Sequence, residues 1–129
     1  MEVEWMVMAT AWQMPVRGAV NLYGVSSTIL VRGNPPWTVR RVFVVKISES
    51  PLYAFGSVPI TAELRGDGIE TARWSVDHPV ADWVTQANST PYIELNAELT
   101  FEMAGSYSYH FVISGEEKAR VSFSVERAI

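Results

Sequence analysis

Tyr92-Ile93-Glu94-Leu95-Asn96-Ala97-Glu98-Leu99-Thr100-Phe101, then Tyr107-Ser108-Tyr109-His110-Phe111-Val112-Ile113, then Val121-Ser122-Phe123-Ser124-Val125, is the stretch that decides the fold class. Ile93, Leu95, Ala97, Leu99 and Phe101 occupy every second position, with polar or small residues between them. Tyr107, Tyr109, Phe111 and Ile113 repeat the pattern after Ala104-Gly105-Ser106, and Val121, Phe123 and Val125 repeat it after Gly115-Glu116-Glu117. A period of two puts alternate side chains on opposite faces of an extended chain, so each segment reads as a strand with one apolar face. Three such strands joined by short turns predict an antiparallel meander.

Working outward, Val3, Trp5, Val7 and Ala9 alternate with Glu4, Met6 and Met8 as a first strand. Residues 19–32 read as a long second strand whose phase slips at Gly24, where a bulge would let it bend or change faces. Gly33-Asn34-Pro35-Pro36 ends it in a loop, because proline brings no N–H to a ladder. Val42-Phe43-Val44-Val45 is apolar on both parities and predicts a strand in the middle of a sheet. Residues 57–76 read as a hairpin around Gly66-Asp67-Gly68. Val80, Trp83, Val84 and Ala87 are spaced as one face of a helix, with Asp77 as its cap, Pro79 in its first turn and Asn88 at its end. The expectation is an all-β, antiparallel two-sheet sandwich of about eight strands with one short helix, forming a single domain over 1–129.

Composition bounds the function. The 129 residues are 48% hydrophobic and 19% charged, enough apolar material for one core and too much for a disordered chain. A net charge of −4 argues against a phosphate-backbone binder, so no nucleic-acid partner is expected. No cysteine is present, which removes disulfides, thiolate ligands and cysteine nucleophiles, and suits a reducing compartment. The acidic, alternating start is unlike a secretory leader, and no apolar run reaches the ~20 residues of a membrane helix. A cytoplasmic location without membrane contact is expected.

The C-terminal segment resembles the last strands of immunoglobulin-like domains. There a glycine or alanine stands two residues before a tyrosine at a strand start, as Gly105-Ser106-Tyr107 does here. The resemblance implies that Tyr107 is a corner tyrosine whose hydroxyl returns to the backbone upstream, and that Tyr109 takes the place of a disulfide cysteine. Met103, standing where an acidic residue is usual, and Trp37, at a strand edge rather than its middle, depart from the pattern. A second resemblance spans most of the chain. The N-terminal strand, Ala19-Val20-Asn21-Leu22-Tyr23-Gly24-Val25, the proline loop, an apolar strand and the Gly105-Ser106-Tyr107 hairpin look like a bacterial family of small β-sandwich proteins without an established activity.

Catalytic candidates are few. The two histidines are His78 and His110. His110 has the parity opposite Tyr109 and Phe111, which predicts a surface histidine. Ser75, His78 and Asp82 could be drawn into a triad, but there is no nucleophile elbow, and a capped helix start accounts for the same residues. Asp67, Asp77 and Asp82 lack calcium-loop spacing, and two distant histidines make a poor zinc site, so no catalytic residue, metal or cofactor is expected. Arg65-Gly66-Asp67 spells an adhesion tripeptide that turn chemistry explains, and Asn88-Ser89-Thr90 spells a glycosylation acceptor. Aromatic residues near loops are the remaining signal. Trp12, Trp37, Tyr53 and Phe55 are the candidate partner or ligand contacts. The expected function is a non-catalytic protein-interaction or structural module that meets a protein partner or a second copy through a loop or the N-terminal edge strand. A carbohydrate-binding module using exposed aromatics is the first alternative. An enzyme is the second, and it requires His78 or His110 in a pocket with a carboxylate.

Overall fold

The computed structural model describes residues 2–15, 19–47, 57–66, 72–79 and 92–128, with the backbone alone for 57–59 and 72–79. The chain is all-β. Its strands are β1 (Val3–Ala9), β2 (Ala11–Gln13), β3 (Asn21–Tyr23), β4 (Thr28–Val31), β5 (Trp37–Ile47), β6 (Ser57–Gly66), β7 (Ala72–Pro79), β8 (Tyr92–Phe101), β9 (Gly105–Ile113) and β10 (Glu116–Arg127). They form a three-stranded sheet β1-β5-β8, a five-stranded sheet β4-β10-β9-β6-β7 and a small β2-β3 ribbon. Among the described residues every pairing is antiparallel except that of β4 with β10.

The two larger sheets share one core. Met8, Phe43, Leu99 and Phe101 from the first meet Leu64, Tyr107, Tyr109 and Phe123 from the second. Phe43 and Tyr109 stack across the seam with ring centroids 3.8 Å apart. Tyr107, Tyr109, Phe111 and Ile113 are all buried, as their period predicts. The central position expected of the strand around Val42–Val45 is also found, with β5 between β1 and β8. Its second apolar face, Val42 and Val44, is covered by Trp5, Trp12, Leu22 and Tyr92.

Three expectations change. The meander is not one sheet: β9 pairs with β10, but β8 pairs with β5 in the opposite sheet. The chain crosses between sheets at Glu102–Ala104, and the Tyr107 hydroxyl donates to the Met103 carbonyl at that crossing. Periodicity reports which face is buried, and both sheets bury a face in the same core, so it cannot assign a strand to either. The long second strand is two. Gly24, at φ 65°, ends the segment that pairs with β2, and β4 then lies parallel to β10.

The third change concerns the helix. Asp77, His78 and Pro79 do not begin one but complete β7, facing Pro59, Val58 and Ser57 of β6. The ladder to β6 satisfies the backbone that an N-cap would have satisfied, so the hairpin expected over 57–76 simply runs longer. Pro59 is tolerated because β9 joins β6 only from Ile60 onward, so among the described residues one side of the strand has no ladder partner at Pro59. Residues 80–91, the rest of the expected helix, lie outside the described residues. Among those described there is no helix, and hence none long and apolar enough to cross a membrane.

Candidate functional site

Alternation along β9 and β10 puts aromatic residues into the core and a second, polar set onto the outer face of the five-stranded sheet. Tyr107, Tyr109, Phe123 and Val125 point inward. By parity Ser106, Ser108, His110, Ser122 and Ser124 lie on the outer face. The register aligns them into rows. Arg65, Ser108 and Ser122 stand abreast across β6, β9 and β10, and Ser106, Ser124 and Thr28 form the next row across β9, β10 and β4. Glu63, His110 and Arg120 form the row on the other side. Short serine side chains between longer neighbours leave an open groove of about 560 Å3, whose lining includes Ser27, Arg65, Ser106, Ser108, Ser122 and Ser124.

His110 on this face is hydrogen-bonded at both ring nitrogens. It is 3% exposed, so the expected surface histidine is instead buried, although it does lie on the outer side of its sheet. The Ser108 hydroxyl lies 2.7 Å from its Nε2, and the Glu117 carboxylate Oε1 meets its Nδ1. An ionised carboxylate only accepts, so Nδ1 carries a proton and donates it to Glu117. In the neutral ring that leaves Nε2 as an acceptor for the Ser108 hydroxyl. The bulge between Glu117 and Ala119 lets Glu117, whose register partner is Val112, bring its carboxylate to His110. Glu63 is also buried and accepts from the Arg65 guanidinium at 3.1 Å. That contact fixes Arg65 beside Ser108 with donors left over, because a guanidinium has five N–H groups.

Of the four aromatic candidates, Trp12 and Trp37 fall within the described residues. Trp37 is buried at 8% exposure, and its indole N–H donates to the Arg32 carbonyl at 3.1 Å. Trp12 is half-buried, edge-on to Tyr92 at 6.0 Å. Tyr53 and Phe55 lie outside the described residues, and so does the side chain of His78. The site that does assemble was missed by reading the inner parity alone. The complementary parity carries the signal: Ser-Tyr-Ser-Tyr-His over 106–110 and Ser-Phe-Ser over 122–124 place hydroxyls and an imidazole at every second position. No such pattern announces Arg65 or Glu117, which reach the site through strand register.

No protein-family model and no curated protein matches the chain. Among solved structures it is similar to the Pseudomonas fluorescens alkylpurine DNA glycosylase AlkC bound to DNA containing an abasic site analog, at 11% identity and a TM-score of 0.42. The match covers 78% of this chain and 28% of the glycosylase, so the chain spans well under a third of that enzyme. This finding corrects two expectations. The non-catalytic interaction or structural module, and the exclusion of nucleic acid from the partners, both stand against a match to a DNA-bound enzyme and are withdrawn. A likeness of this size transfers neither the fold nor the activity of the glycosylase to this chain.

Proposed function

We propose that this chain is a small-ligand-binding protein whose serine-lined groove accepts an oxyanion, such as a phosphate or carboxylate group. The observation that carries the reading is the convergence of Arg65 with five serines on one recess of the five-stranded sheet. The Ser108 proton goes to His110, so the guanidinium of Arg65 and the hydroxyls of the other serines are the donors offered to an oxyanion, and a planar guanidinium binds one in two-point fashion. A face that only had to be wet would need no such concentration of short hydroxyl side chains around one cation. The groove sits on a scaffold that we read as one immunoglobulin-like domain over 1–129. The order β4-β10-β9-β6-β7 against β1-β5-β8, with Tyr107 at a crossing between sheets, supports that reading.

Titration with inorganic phosphate at low ionic strength, followed by backbone amide NMR, tests the site. Shifts should concentrate at Ser106, Ser108, Ser122 and Ser124, weaken with added salt, and require at least about tenfold more phosphate in Arg65→Met. Uniform or absent shifts in the folded protein would sink the reading.

A further inference from the structure

We propose that Ser108 is a nucleophile, activated by His110 and Glu117, and that the groove hydrolyses small carboxylic esters. The inference rests on the oxyanion-binding reading of the groove and adds that the oxyanion is one formed there. Three observations carry it. Ser108, His110 and Glu117 are hydrogen-bonded in the order hydroxyl, Nε2, Nδ1, carboxylate, which is the order of a serine–histidine–acid relay. Ser108 lines the groove, so its oxygen is within reach of a ligand, while His110 behind it is shielded from water. Arg65 is the cross-strand neighbour of Ser108 on the same face, and neighbouring side chains of such a pair stand roughly 5 Å apart at Cβ.

The chemistry balances without any co-reactant beyond water. Ser108 Oγ attacks the ester carbonyl carbon, and its proton passes to His110 Nε2. Glu117 accepts from Nδ1–H throughout and stabilises the imidazolium, which makes it a positioning residue. The carbonyl electron pair moves onto oxygen. Backbone N–H groups of β9 are engaged by ladders to β6 and β10, so the guanidinium of Arg65 meets that charge. The adduct collapses, the ester C–O bond breaks, and the departing alkoxide takes the proton from His110. Water then attacks the acyl-serine, giving its proton to His110, and collapse releases the carboxylic acid as the proton returns to Ser108 Oγ.

A small fluorophosphonate tests the nucleophile directly, because attack by a serine oxygen on phosphorus expels fluoride and leaves a mass tag. Peptide mass spectrometry should place the adduct on Ser108 and not on Ser106, Ser122 or Ser124, which share the groove and serve as internal controls. Ser108→Ala should abolish it, and His110→Gln should slow labelling by about a hundredfold or more. Since His110 is buried, Glu117→Gln provides a second route: its half-exposed side chain is replaceable without loss of fold, and labelling should again slow. Phosphate binding with no adduct on Ser108 would overturn the nucleophile and leave the oxyanion groove standing. Labelling spread equally over the four serines, or unchanged in folded Glu117→Gln, would overturn it too. Failure of both phosphate binding and labelling would overturn both readings.

Discussion

Tyr109 shows how one residue carries a structural role and a measurable electrostatic signature. Its ring stacks on Phe43 in the seam, and burial pushes its hydroxyl up to about 12 from the ordinary 10.0. The sign follows from which form the fold prefers. Burial disfavours the phenolate, so the folded chain holds its proton to higher pH than the unfolded chain does. The contribution is intact below about pH 10 and is lost as pH climbs toward 12. The urea midpoint should therefore fall across that window, and Tyr109→Phe should flatten the fall. At the same scale the site is built from ordinary residues in particular company. Ser108 and His110 are two residues apart, so their shared face was open to reading. Glu117 sits seven residues beyond His110, across a turn whose two central residues, Ser114 and Gly115, have φ of 50° and 82°. Its arrival depends on that hairpin and on the bulge that follows.

At the scale of elements, the β2–β3 ribbon is a cap rather than part of either large sheet. It covers Val42 and Val44 through Trp12 and Leu22 and is tied at its base, where Thr10 Oγ1 donates to the Tyr23 carbonyl at 3.0 Å. Gly24 makes this closure possible twice over. Its φ of 65° suits glycine, and a Cβ there would lie 2.3 Å from Thr10 Oγ1. Gly24→Ala should cost about 1–2 kcal/mol in thermal or urea unfolding. It should also shift tryptophan emission to the red as Trp5 and Trp12 become wetter, while the phosphate-induced shifts on the opposite sheet stay unchanged. The phase slip at Gly24 was legible as an interruption. Its outcome, a change of sheet rather than a bulge, was not, because the partner strand β10 lies almost a hundred residues further along the chain.

At the scale of the molecule, two sheets stand or fall by their shared apolar seam. Phe43 is fully buried and contacts the opposite sheet through Tyr109, so Phe43→Ala should destabilise the fold by about 3–5 kcal/mol. Leu30 is equally apolar but 64% exposed on edge strand β4, and Leu30→Ala should change stability by about 0.5 kcal/mol or less. Urea denaturation of the two variants side by side checks the contrast. The same seam backs the groove. Each serine on the outer face alternates with a residue locked into the core, so Tyr107 and Tyr109 hold Ser106 and Ser108 in place from behind.

The alternation from Ile93 to Val125 was enough to establish strands, their buried faces and the chemical character of both surfaces, because side-chain direction in an extended chain depends only on parity. The return of the Tyr107 hydroxyl to the Met103 carbonyl was implied by the resemblance of Gly105-Ser106-Tyr107 to a corner motif, and the structure places it there. Partnership was decided elsewhere. Which sheet β8 joined, where Arg65 met Ser108, and whether His110 would be wet or buried beside Glu117 all depend on register between distant segments. That register is set by how two apolar faces fit together in three dimensions, and no local pattern encodes it.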